Sequence, residues 1–216
     1  IRTANHGFSG RFPYKVNGQN VRFGTRLGSD LTLVDTLWAG LTDSLAGCPM
    51  GITAENLATD HAISRAESDA YALRSQERWA AAHAAGRFGD ELAPMSLPGK
   101  KGNVEFAADE HPRQTTPEKM AKLASTFKKD GTVTAASASG ICDGAAALVV
   151  ASESAVARHG LSPLAELVCW ATVGVDPTRM GIGPVPAIQQ ALEKSKLSLE
   201  QMGLIEINEA FAPQVL

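Results

Sequence analysis

A few thiols and imidazoles, and one carboxamide at the end of a predicted strand, are the groups in this chain best suited to chemistry. The thiols are Cys48, Cys142 and Cys169; the imidazoles are His6, His61, His83, His111 and His159. A cysteine attacks as its thiolate, so nucleophilic catalysis needs a base or a cation beside it. Nothing close in sequence supplies one for Cys142, whose nearest histidine is His159, at the end of a predicted helix. Cys169 lies in the apolar run Leu167-Val168-Cys169-Trp170 and reads as a core residue. His83 and His111 read as exposed polar residues. The cysteines lack metal-ligand spacing, and their odd number argues against a complete disulfide framework, which points to a reducing compartment.

Backbone groups are signalled more strongly. Gly131 to Val150, GTVTAASASGICDGAAALVV, runs from small residues to apolar ones. Through Gly144 it is dominated by Gly, Ala, Ser and Thr, so backbone can come close to another backbone or to a ligand. Ala145 to Val150 then reads as a short strand buried on both faces. Such a turn suits either the positioning of binding groups or plain close packing. Asn208 follows the predicted strand Leu204 to Ile207, at the carboxyl end where open α/β sheets place ligands. Between Lys100 and Lys129, seven basic residues stand against four acidic ones, so this segment carries +3 and the remainder −6. That excess is a solvated face or a patch for an anionic ligand. Without interleaved aromatics it does not suit extended nucleic-acid binding.

The elements that must hold these groups alternate. Val34, Leu37, Trp38, Leu41 and Leu45 recur at helical spacing and predict a helix over most of 31–45, ended by Gly47. Thr53 to Thr59 predicts a short helical turn. Over Ser64 to Ala85 the signal is strongest: Ser64-Arg65-Ala66-Glu67 fits a capping box, good helix formers follow, and Gly86 suits the C′ position. Tyr71, Ser75 and Trp79 repeat at i, i+4, i+8 on this helix and read as a core seam. Residues 91–108 read as short strands or loop around Pro98-Gly99, and Thr116-Pro117 starts a helix ending near Ser125. Ser152 to His159 predicts a helix closed by Gly160, and Leu164 to Val173 a strand. Pro186 to Lys196 predicts an amphipathic helix with Ile188, Ala191 and Leu192 towards a sheet and Gln189 and Glu193 in solvent. A short helical SLEQM precedes the last strand. Residues 1–28 carry no sustained periodicity and read as loop. A helix-rich block followed by strand, helix, strand, helix, strand is an α/β pattern.

At 216 residues, 44% of them hydrophobic and with net charge −3, the chain has the composition of one large or two small globular domains. No apolar run approaches the ~20 residues of a membrane helix, and no charged-then-apolar amino terminus resembles a secretory signal.

From about Pro13 to Leu216 the motifs resemble the thiolase family, acyl-CoA acyltransferases that make or cleave 3-ketoacyl-CoA. The similarity is carried by NVRFGTRLGSD, MGITAENLA, ISRAESDAYALRSQERWAAAHAAGRFGDELAP, GTVTAASASGICDGAAALVVAS, WATVGVDPTRMGIGPVPA and EINEAFAPQ, of which NEAFA at Asn208 to Ala212 is the most specific. The resemblance implies a layered α/β fold with an inserted helix-rich loop domain. It divides the chain into the tail of an N-terminal half (1–28), the covering loop domain (29–130), the return to the N-terminal half (131–160) and the opening of a C-terminal half (161–216). It also implies acyl transfer through a cysteine thioester, with CoA thioesters as substrates and no metal or prosthetic cofactor. Asn208 matches the asparagine that holds a water in an oxyanion hole, and Ser139 the serine that contacts the pantetheine arm. Phe211, Met180, Met50, Leu41 and Phe127 match apolar residues around the pantetheine tunnel and acyl pocket, and Arg113 a position near the CoA nucleotide. The family further implies a homo-oligomer, dimer or tetramer, in the mitochondrial matrix or the cytoplasm; from the sequence itself no nucleic-acid partner and no membrane span are expected.

The chain departs from the family at several points. Ala135-Ala136-Ser137-Ala138-Ser139-Gly140 stands where A-G-N-A-S-G is usual, Cys142 where Asn is frequent, and Pro49 where some members have His. The family's nucleophilic cysteine, in a C-G-S-G-like context, its G-H-P histidine and its C-x-G-G-G cysteine have no counterpart in these 216 residues. The chain therefore reads as a thiolase fragment holding CoA-binding groups and one oxyanion-hole residue. A non-catalytic CoA-binding or interaction protein derived from a thiolase is the alternative.

Overall fold

A computed structural model describes residues 14–16, 33–100, 102–142 and 146–216. Most of the loop reading for residues 1–28 thus lies outside the described residues, as do Lys101 and the middle of the turn-to-strand junction at 143–145. Within the first segment, however, Tyr14–Val16 forms a strand, β1, paired antiparallel with β2, Leu33–Asp35.

Two helices frame the fold. Helix α2, Met50–Asp60, is longer than the short turn expected from its sequence and is the most buried element, with Thr53, Ala54, Glu55, Leu57 and Ala58 all inside. Helix α3, Arg65–Ala84, begins as the sequence dictates. Ser64 Oγ accepts from the Glu67 amide at 3.2 Å while the Glu67 carboxylate accepts from the Ser64 amide at 2.8 Å, so each satisfies an orphan donor of the first turn. The Ser64 hydroxyl also donates to the Glu67 carboxylate at 2.6 Å, and that bond first, with the Ser64 amide second, holds the Glu67 carboxyl below its usual range. At the other end Gly86 takes a left-handed φ of +69°. Arg65 ties α3 to the short helix α4, Pro117–Ala121, by donating to the carbonyls of Met120 at 2.7 Å and Leu123 at 3.1 Å. Met120 is sealed beneath, 1% exposed.

The predicted helix over 31–45 is broken into three pieces. Strand β2 is followed by a five-residue helix, α1, Thr36–Gly40, and then a two-residue pair, β3 (Thr42–Asp43) with β4 (Cys48–Pro49). Two aspartates cause the break. Asp35 caps the amides of Leu37 and Trp38, and Asp43 accepts from those of Leu45 and Ala46 at 2.7 Å each, closing a turn in place of a further helical turn. Residues 91–108 form a hairpin, β5 (Met95–Gly99) with β6 (Gly102–Phe106), in which Leu97 opposes Val104. Helix α4 ends at Ala121, short of the expected Ser125, while α5, Glu153–His159, is capped by Ser152 and closed by Gly160 as expected.

Three predicted strands do not form. Residues 146–150, 164–173 and 204–207 are extended or irregular chain without a ladder, and Leu148 and Leu164 are 91% and 104% exposed. An apolar run becomes a strand only when neighbouring strands accept and donate its backbone hydrogen bonds, and among the described residues none lies alongside these runs. Helix α6, Pro184–Ser195, keeps its polarity: Gln189 and Glu193 are exposed, and Ile188, Ala191 and Leu192 are half-buried. Its apolar face covers chain at 171 and 206–207 in place of a sheet, and Cys169, half-buried, donates to the Ala191 carbonyl. A final helix, α7 (Ala212–Val215), packs between α2 and α3.

Candidate functional site

Residues 131–140 form the close-packed turn expected of them, and a single carboxylate holds it in place. Glu55, 2% exposed on α2, accepts from the amides of Thr132 and Val133 at 2.8 Å each. Its carboxyl lies so near the Gly131 Cα that a Cβ there would overlap it, which is why a glycine stands at that position. Ser137 Oγ accepts from the Thr134 amide at 2.8 Å, and Thr134 and Val133 are fully buried. The turn is thereby a fixed platform of backbone, with all its inner donors satisfied.

On this platform the two most distinctive segments meet. The Ser139 amide donates to the Ala210 carbonyl at 2.9 Å, and the Ala212 amide to the Ser137 carbonyl at 2.8 Å, so Ala138 and Phe211 oppose each other in an isolated antiparallel bridge. The bridge brings Ser139 and Asn208 to the same groove of about 360 Å³. Asn208 also borders a second groove of about 300 Å³ beneath α6. Apolar residues continue from the bridge. Phe211 packs edge-on against Phe127, ring centroids 6.0 Å apart, and the Phe127 ring lies against Gly51, where any side chain would collide with it. Met50, one residue before, donates its amide to the Leu41 carbonyl at 2.9 Å.

Of the eight residues singled out from sequence, Asn208 and Ser139 line one groove, Phe211 and Phe127 pack together, and Met50 and Leu41 share a backbone hydrogen bond. Met180 lies apart in a 3₁₀ turn, Pro177–Ile182, that packs on α2. This turn is pinned to α2 by Arg179, which pairs with both carboxylate oxygens of Asp60, and by Asn56, which donates to the Thr178 carbonyl at 2.9 Å. The Arg179 hydrogen bond holds the Asp60 carboxyl below its usual range. Arg113 is exposed; its amide donates to Gln76 on α3, and the preceding Pro112 lines the first groove.

The opposite wall of the groove was not foreseen as such. Tyr71, Ser75 and Trp79, read from spacing as a core seam, line it together with His111 and Cys142. Glu209 is held there by two hydroxyls of α3, Tyr71 Oη at 2.7 Å and Ser75 Oγ at 2.5 Å. Burial first, and the Glu209 carboxylate second, raise the Tyr71 phenol above its ordinary value of 10.0. Arg74 lies over the Tyr71 ring, 4.8 Å from its centroid. Among the described residues, no group of three or more His, Cys, Asp or Glu side chains is placed to hold a metal ion, and no helix is long and apolar enough to cross a membrane.

The first groove is thus bordered by a carboxamide residue, Asn208, and a serine, Ser139, residue types that can donate hydrogen bonds to an oxygen gaining negative charge during reaction. Residues 12–154 match the model of the thiolase N-terminal domain and residues 161–216 that of the C-terminal domain. The chain is 58% identical over 205 residues to the mitochondrial 3-ketoacyl-CoA thiolase of Mus musculus, covering 94% of this chain and 51% of the relative. It is 50% identical over 197 residues to an acetyl-CoA acetyltransferase of Syntrophomonas wolfei, covering 90% and 50%. Its fold superposes on the crystal structure of human mitochondrial 3-ketoacyl-CoA thiolase with a TM-score of 0.85 at 57% identity, covering 94% of this chain and 51% of that one. With the same human enzyme in complex with CoA the TM-score is 0.83 at 56% identity, covering 94% and 50%. The chain spans about half the length of these relatives. Matched along both domains in family order, and sharing the course of a solved member, it belongs to the thiolase family.

Proposed function

We propose that this chain forms part of an acyl-CoA acyltransferase that cleaves 3-ketoacyl-CoA with CoA, or condenses acetyl-CoA units, through an acyl-cysteine intermediate. The bridge between Ser137–Ser139 and Ala210–Ala212 supports the reading, because it brings Ser139 and Asn208, to which we assign the pantetheine contact and the oxyanion hole, to one groove. Asn208 holds a water that donates to the thioester oxygen as negative charge develops there; that donation is worth most at the transition state, where the charge is largest. Ser139 meets the pantetheine arm. Phe211, Met180, Met50, Leu41 and Phe127 lie around the pantetheine tunnel and acyl pocket, and Arg113, an exposed cation, lies near the nucleotide end of CoA. Residues 29–130 act as the covering loop domain between 1–28 and 131–160, with 161–216 opening the second half. CoA thioesters are substrates, and no metal or prosthetic group takes part. The complete enzyme assembles as a homo-oligomer in the mitochondrial matrix or the cytoplasm, and the mitochondrial names of several relatives favour the former.

The test has two arms. These 216 residues by themselves are expected to give no thiolase turnover, since an oxyanion hole stabilises charge that only nucleophilic attack creates. In an enzyme-length chain carrying them, Asn208→Ala is expected to lower kcat on the order of 10²-fold with much less effect on CoA affinity. Turnover by the short chain would require a nucleophile within it, such as Cys142, and overturn the assignment, and so would an Asn208→Ala enzyme with unchanged kcat. A short chain that binds CoA, together with an enzyme-length chain that never turns over, would favour the non-catalytic alternative.

A further inference from the structure

Asn208 reaches the groove on a segment that is poorly held. Residues 204–209 form no ladder, and Leu204 is 78% exposed. On the carboxyl side the backbone is fixed from Ala210 onward by its bonds to Ser137 and Ser139. Between Asn208 and that point stands one residue, Glu209, whose side-chain carboxylate is gripped by Tyr71 Oη and Ser75 Oγ. Both hydroxyls stand one turn apart on α3, a twenty-residue helix capped at its start by the Ser64 box, and the Arg74 guanidinium over the Tyr71 ring limits the phenol's freedom.

We propose that Glu209 is a positioning residue, and that its bonds to Tyr71 and Ser75 set the orientation of Asn208 and so couple the covering helix α3 to the reacting centre. The inference rests on the role given above to Asn208. Glu209 shares a peptide with Asn208, so releasing its carboxylate lets that peptide rotate, and the carboxamide swings away from the water it holds. Substrate binding depends chiefly on other residues and is left nearly intact. Misplacement of a reacting group by about 1 Å can cost on the order of 10²-fold in rate, which sets the scale of the effect.

The experiment uses an enzyme-length chain carrying these residues, with Asn208→Ala as reference and thermal melting of every variant. Glu209→Ala is expected to lower kcat by about 10- to 100-fold while KM changes far less. Glu209→Gln keeps one acceptor and adds one donor for the two hydroxyls, and is expected to restore most of the rate. Because Glu209 acts through Asn208, the double variant Asn208→Ala/Glu209→Ala should be no slower than Asn208→Ala alone. Tyr71→Phe keeps the ring and removes one donor. It should show a smaller loss of the same kind, and it decides the matter where Glu209→Ala fails to fold. Additive losses in the double variant, or a folded Glu209→Ala enzyme with unchanged kcat beside a crippled Asn208→Ala enzyme, would overturn the positioning role and leave the reading of Asn208 standing. An Asn208→Ala enzyme with unchanged kcat would overturn both.

Discussion

Replacing Glu55 by alanine removes the one carboxylate that fixes the turn beneath the groove, and its cost follows from the partners it leaves behind. Two amides, those of Thr132 and Val133, donate to it at 2.8 Å. A buried amide left without an acceptor costs about 1–3 kcal/mol. Val133 is 0% exposed and bears the upper end of that range, whereas Thr132 is half-buried and recovers part of its loss from water. The expected local destabilisation is therefore about 3 kcal/mol, which corresponds to roughly a 100-fold faster opening-limited exchange of the amides in 131–137. Hydrogen exchange read by mass spectrometry on peptides covering 131–140, with α3 peptides as the internal reference, measures this directly. Glu55→Gln retains one acceptor oxygen but turns an NH2 group towards the second amide, so it should fall between wild type and Glu55→Ala. Because Ser139 rides on the same turn, CoA affinity should weaken in the same order. A Glu55→Ala protein whose 131–137 amides exchange less than about tenfold faster would show that the turn is held by its own packing, and the reasoning would fail.

Two further predictions concern α3. Ser64→Ala removes the hydroxyl half of the capping box and should cost about 1 kcal/mol, measured by thermal or urea unfolding; an unchanged midpoint would count against the cap. Tyr71, whose phenol is raised by burial and by Glu209, gives its contact stability that is complete below pH 10.0 and is lost as pH rises through the higher folded-state value. Tyrosinate absorbance should place one of the chain's two tyrosines above the ordinary range, Tyr14→Phe should leave that titration in place and Tyr71→Phe should remove it. A normal titration for Tyr71 would mean that its hydroxyl is not donating to Glu209 in solution.

Legibility in the sequence followed the range of the forces involved. Features fixed within one turn were readable: the Ser64 box, the Thr116-Pro117 start, the helix beginning at about Ser152, and the stops at Gly86 and Gly160. The helix expected over 31–45 failed for an equally local reason, because apolar periodicity ignores the side chains of Asp35 and Asp43, which compete for the amides a helix would use. The strands expected over 146–150, 164–173 and 204–207 failed for a non-local one. Their sequences specify burial, and a ladder also needs neighbours, which these runs do not find among the described residues.

For the site, motif resemblance pointed to Asn208 and Ser139, and the bridge between their segments explains how two stretches so far apart in sequence come to line one groove. The α3 wall was hidden by its own regularity. Tyr71, Ser75 and Trp79 recur at helical spacing, as core residues do, and Ala72 among them is indeed buried. Yet two of the three carry hydroxyls, and a half-buried hydroxyl on an inward face requires an acceptor. The sequence therefore implied a partner for Tyr71 and Ser75 without being able to name it. Glu209 lies 138 residues beyond Tyr71, and only the tertiary bridge at Ala138–Phe211 delivers it to that face of the helix. A polar pair inside an apolar stripe is thus a request for a distant acceptor, and where that acceptor lines a groove, as Glu209 does, the stripe belongs to the groove as much as to the core.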